Sequence, residues 1–130
     1  MPDTDIERWL IEALQEIEER AAVQKLKNEN PWVLHLIKVL WKYPNGLARL
    51  TAVEWIQKSR AAKGLPEPKK FEETVQSAFQ HHSSQYAVFA QRGGKPEDDL
   101  FYPVGDKGSG KWALHRDVAI AWLRARGLPL

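Results

Sequence analysis

The sequence predicts a mostly α-helical fold carrying one small β-hairpin, on three observations. Apolar residues recur at helical spacing over residues 4–28, 32–43, 51–63, 71–83 and 116–126. Late in the chain the pattern turns strand-like, with a glycine-rich loop over residues 105–110 between two short aromatic runs. Prolines and glycines divide these stretches, at Pro31, Pro44, Gly46, Gly64, Pro66, Pro68 and Gly127. A chain of 130 residues is long enough for one domain with a true core, and short for two. It divides into an N-terminal amphipathic helix, residues 1–30, and a body with a C-terminal helix, residues 31–130.

The first helix opens at Asp3 or Thr4, either of which suits the cap, with Glu7 placed for a capping box. Ile6, Trp9, Leu10, Ala13, Leu14, Ile17 and Ala21 form its apolar stripe. That stripe either packs on the domain or pairs with a second copy, and Ile11, off the stripe, favours a second contact surface. Asn28, Asn30 and Pro31 end it, since the residue before proline avoids helical torsions. The next helix, 32–43, is apolar on most sides, so it is expected to be the most buried; Lys38 and Lys42 share its remaining face.

Residues 47–50 read as a connector or a stub of strand. A third helix, 51–63, is expected to start at a Thr51 cap with Glu54 three residues on, to turn Val53, Ile56 and Trp55 inward, and to stop at Gly64. After a stiff turn, Lys69 or Lys70 opens a helix whose inner stripe is Phe71, Val75, Ala78, Phe79 and His82. Residues 85–90 read as a strand, enriched in β-branched and aromatic side chains. A polar loop over 92–99 follows, and residues 100–104 and 111–114 then pair as the hairpin. Pro103 lacks the amide that a central strand needs, which puts its strand at an edge. Val118, Ala119, Trp122 and Leu123 turn inward from the last helix.

Charge is uneven. Residues 1–20 hold seven acidic side chains against Arg8 and Arg20, a balance of −5, whereas residues 21–70 hold ten basic against three acidic, a balance of +7. A basic middle attracts polyanions, although lysines also serve simply as solvated helix faces. With 28% charged residues and no run near the roughly 18 apolar residues of a span, no membrane insertion is expected. The acidic start lacks a signal-peptide core, so a cytoplasmic location is expected. The absence of cysteine excludes disulfides, thiolate metal sites and cysteine nucleophiles.

The order helix, connector, helix, tight turn, helix, hairpin over residues 31–115 resembles a winged helix-turn-helix domain. Residues 74–79, 100–105 and 110–114 are similar to the HARE-type winged helix of bacterial restriction and chromatin-associated proteins. The chain departs from that pattern in its acidic first helix, the insertion over 92–99 and the extra C-terminal helix. The resemblance implies that the helix from Phe71 enters the major groove of double-stranded DNA while the hairpin touches the backbone or the minor groove. Carried onto this sequence, it puts Gln76, Ser77, Gln80 and His81 on the exposed side of that helix. It also assigns phosphate contacts to Lys69 and Lys70 at the helix start, and the wing contacts to Lys107 and Lys111. Lys38 and Lys42 are expected on the same face. Glu72 and Glu73 oppose deep insertion unless they point away or cap the helix. The glycine-rich loop is equally an ordinary hairpin turn.

Catalysis is not expected. His81 and His82 point about 100° apart on a helix and no HExxH spacing accompanies them. Residues 105–111 lack the spacing of a phosphate loop and sit between strands. No cofactor or small-molecule substrate is therefore expected. The expected function is DNA binding, as a transcriptional regulator or nucleoprotein accessory factor, with possible partners including a second copy through residues 4–28. The alternative is a winged-helix protein-interaction module without DNA binding, because six tryptophans exceed the needs of one small core, unless that core is simply tryptophan-rich.

Overall fold

A computed structural model describes residues 3–24, 31–106 and 108–125. It is helix-rich with a small antiparallel sheet, as the sequence predicts. The order is α1 (Asp3–Gln24), α2 (Pro31–Trp41), β1 (Leu47–Ala48), α3 (Arg49–Ala62), α4 (Phe71–His81), α5 (Ala87–Gln91), a turn of 3-10 helix at Pro96–Asp98, β2 (Phe101–Pro103), β3 (Lys111–Leu114) and α6 (Arg116–Ala125).

Helix α2 is the hub. Val33, Leu36, Ile37 and Leu40 are buried within it, and α1, α3, α4 and β3 all pack on it. The first part of the α1 stripe packs inside the chain: Ile6, Leu10 and Leu14 are buried in the common core. Ile11 stays out, 44% exposed. Ile17 and Ala21, expected on the same stripe, the continuation over residues 25–28, and Arg126 at the end of the last helix lie outside the residues whose side chains are described.

The sheet order is β1-β3-β2, so the stub at residues 47–48 becomes a third strand beside the hairpin. Leu47 pairs with Trp112 and Ala48 with Lys111, while Pro103 opposes Trp112 from the edge strand, where its missing amide costs nothing. Alternation along β3 puts Trp112 and Leu114 on the core face and Lys111 on the other. Gly46, at φ +98°, turns the chain into β1. A side chain there is excluded twice, by that torsion and because a Cβ would sit 2.7 Å from Val104 Cγ2.

Three expectations are corrected. Residues 85–90 form no strand. Ala87–Gln91 is the short helix α5, because Tyr86 and Phe89 face inward at a spacing of three while Ala87 and Ala90 stay exposed, and β1 already completes the sheet. The Thr51 cap is also absent. Helix α3 starts at Arg49, whose amide donates to the Gly110 carbonyl at 2.7 Å, so the end of the wing loop does the work of a capping side chain and Thr51 lies inside the helix. Finally, Trp55 does not face inward; it is 53% exposed.

Two aromatic contacts fix the remaining pieces. The Phe79 ring stacks on Trp112 at 4.1 Å between centroids and on Phe101 at 5.5 Å, holding α4 against both hairpin strands. Arg116 lies over the Trp41 ring at 4.1 Å and donates to the Trp41 carbonyl at 2.8 Å, pinning α6 to the end of α2. Phe79→Ala removes the filling of the α4–sheet seam. Urea unfolding followed by circular dichroism is expected to show a loss of about 3–5 kcal/mol.

Candidate nucleic-acid interface

Helix α4 turns Phe71, Val75, Ala78 and Phe79 into the core, which leaves Glu73, Gln76, Ser77 and Gln80 around the opposite side. Its start is unusual. Lys70 takes the left-handed conformation, φ 57° and ψ 42°, so that its carbonyl accepts from both the amide of Thr74, at 2.9 Å, and its hydroxyl, at 3.0 Å. No side chain caps the helix; Glu72 and Glu73 in the first turn offset its positive end instead.

Two clefts flank α4. One is lined by Trp32, Lys69, Lys70, Ser77 and His81 among others, and brings four of the expected contacts together. Across the helix the other is lined by Gln57, Glu67, Lys70, Glu72 and Gln76, so Lys70 stands at the junction. Gln80 is half-buried on the strip between. Lys111 does not join them, because it lies on the sheet face away from Trp112 and hence from α4. Lys38 and Lys42 line a third depression between α2 and α3. The expected lysines therefore do not share one face, and Lys107 lies outside the described residues.

A residue not singled out from the sequence proves central. Arg49 Nη1 donates to Glu72 Oε1 at 3.1 Å and to Gln76 Oε1 at 3.2 Å. The guanidinium offsets one of the two carboxylates that oppose a polyanion, and by donating to Gln76 Oε1 it leaves the NH₂ as the donor end of that amide. Arg49 reads in the sequence only as one charge of the basic middle. Its signal is positional, being the first residue of α3, placed beside α4 by the bond between its own amide and the wing.

His81 is half-buried, with Nδ1 3.5 Å from Ser77 Oγ. Burial holds its imidazole below the ordinary value of 6.5, and the Arg92 guanidinium acts in the same direction. His82 packs edge-on against Phe101 and Trp122, as its place on the inner stripe predicts. Among the described residues no three His, Asp or Glu side chains gather to hold a metal. No described helix is long and apolar enough to cross a membrane.

Comparison with protein-family models, curated proteins and solved structures finds no match. The geometry alone therefore carries the functional argument. What the α4 surface offers is a strip of the hydrogen-bonding side chains Gln76, Ser77 and Gln80 beside one carboxylate, Glu73, with lysines at its N-terminal end and an arginine along one edge.

The His81 environment makes a pH prediction. Its neutral form is favoured in the fold, so its contribution to stability is complete above 6.5 and is lost as the pH falls through the lower folded value. In NMR titration the His81 midpoint is expected below 6.5, and Arg92→Gln moves it partway up. A midpoint at or above 6.5 contradicts the burial argument.

Proposed function

We propose that the chain is a winged-helix module that binds double-stranded DNA through α4, serving as a transcriptional regulator or an accessory factor of a nucleoprotein complex. The observation that carries this reading is the outward strip of α4, where Lys69, Lys70, Gln76, Ser77, Gln80 and His81 occupy one helix and its start while Phe79, stacked on Trp112 and Phe101, holds the hairpin against the helix's inner side. The element order α2, β1, α3, α4, then α5 and a 3-10 turn, then β2 and β3, resembles that of a winged helix with an insertion before the hairpin, which supports groove insertion by α4.

The division of labour follows from the chemistry. Lys69 and Lys70 meet phosphates at the helix start. Gln80, half-buried on the strip between the two clefts, offers both donor and acceptor to an adenine edge, and Ser77 meets several base edges. Gln76 is oriented by Arg49, so it presents a donor. Glu73, with no place in this scheme, weakens attraction to the backbone. Of the basic middle, Lys69 and Lys70 stand beside α4 and supply the non-specific pull there. Cytoplasmic residence belongs to the same proposal.

Fluorescence anisotropy on a labelled duplex tests the reading. Affinity is expected to fall steeply with salt, and Lys69→Ala with Lys70→Ala lowers the slope of log K against log salt by about 1–2. Glu73→Gln, which removes a repelling charge from the strip, tightens binding a few-fold, by about 0.5–1 kcal/mol. Absence of binding to any duplex at low salt overturns the proposal.

A further inference from the structure

On the side of α3 away from α4 lies a groove of about 410 Å³ between α2 and α3. Its lining includes Val39, Ile56 and Trp55, with Lys38, Lys42 and Lys58 on the same lining. Position separates it from the α4 strip. Val53 and Gln57 line the cleft against α4, and Trp55 is about 200° around the α3 axis from Val53. None of the groove's lining residues recurs in the two clefts that flank α4.

We propose that this groove docks an acidic amphipathic helix from a partner protein. The apolar lining between two helices accepts one apolar helix face, as a helix-in-groove contact requires. A 53% exposed tryptophan supplies an anchor of the kind that dominates interfaces. Three lysines and no carboxylate line it among the described residues, so the complementary surface is negative on both flanks of its apolar stripe. Glu54 pairs with Lys58 at 3.2 Å, but both side chains are largely exposed and four residues apart on α3, a weak pair that an incoming carboxylate replaces. A phosphate backbone has no use for the apolar lining, which favours a peptide over nucleic acid here. The groove and the α4 strip lie on different faces, so both are open to partners at once.

The test uses the full chain and a fluorescein-labelled synthetic peptide of about 18 residues, long enough to hold a helix, with leucines at helical spacing and glutamates on both flanks. Anisotropy is expected to show saturable binding. It weakens about tenfold or more with Trp55→Ala, with Lys42→Glu plus Lys58→Glu, and with a peptide carrying glutamine for glutamate. Lys69→Ala with Lys70→Ala leaves it unchanged. All substituted side chains are exposed, and circular dichroism confirms that each variant folds. Binding absent, or indifferent to the groove variants, overturns the proposal. So does a loss of duplex DNA affinity on Lys42→Glu plus Lys58→Glu that peptide does not compete with, which makes the groove a phosphate track. Self-association of the free chain abolished by Trp55→Ala also overturns it, because the occupant is then a second copy.

Discussion

The stack of Phe79 between Trp112 and Phe101 is the contact on which the rest of the arrangement depends. It joins the last turn of α4 to the two strands of the hairpin, segments that neither helix propensity nor strand pairing brings together. A hairpin of strands this short is not stable alone, and α4, with seven polar or charged residues around one apolar stripe, gains most of its stability from packing. Each element therefore exists because the other covers it. The outward strip of α4 is the geometric counterpart of that burial, since turning Val75 and Phe79 inward leaves Gln76, Ser77 and Gln80 outside.

The wing loop reinforces the same unit from a second direction. The Gly110 carbonyl accepts from the Arg49 amide, β1 pairs with β3, and the Arg49 side chain then reaches across to Glu72 and Gln76. One residue thus links sheet, α3 and α4. Its ion pair is half-exposed and contributes little to stability, so its larger effect is electrostatic: it halves the negative charge at the start of α4 and orders a hydrogen-bonding side chain.

Much of this was legible in the sequence, for identifiable reasons. The stripe of α4 is strictly periodic, the Pro44-Asn45-Gly46 stop is strong turn chemistry, and Pro103 marked an edge strand because of the amide it lacks. Residues 85–90 misled because Tyr86, Val88 and Phe89 in a short apolar run fit either period, and only the presence of β1 in the sheet decides between them. Thr51 looked like a cap because local sequence shows side chains that satisfy a helix start and cannot show a distant carbonyl doing so. For Trp55, apolarity argued for burial, while α3 turns Ala52, Val53 and Ile56 to the core and leaves Trp55 outside. The scatter of the lysines was hidden for the same reason. Charge sums along a chain say nothing about faces, and tertiary packing divides Lys38 and Lys42 from Lys69 and Lys70.

The central claim is that α4 is the DNA-facing surface of this fold. The most direct measurement is amide chemical-shift mapping of the nitrogen-15-labelled chain titrated with a short duplex at low salt. The account predicts that the perturbed amides concentrate over residues 69–81 and at Arg49, with those around Trp55 and Lys42 unmoved. Perturbations centred on the α2–α3 groove and sparing α4, or none at all, contradict it.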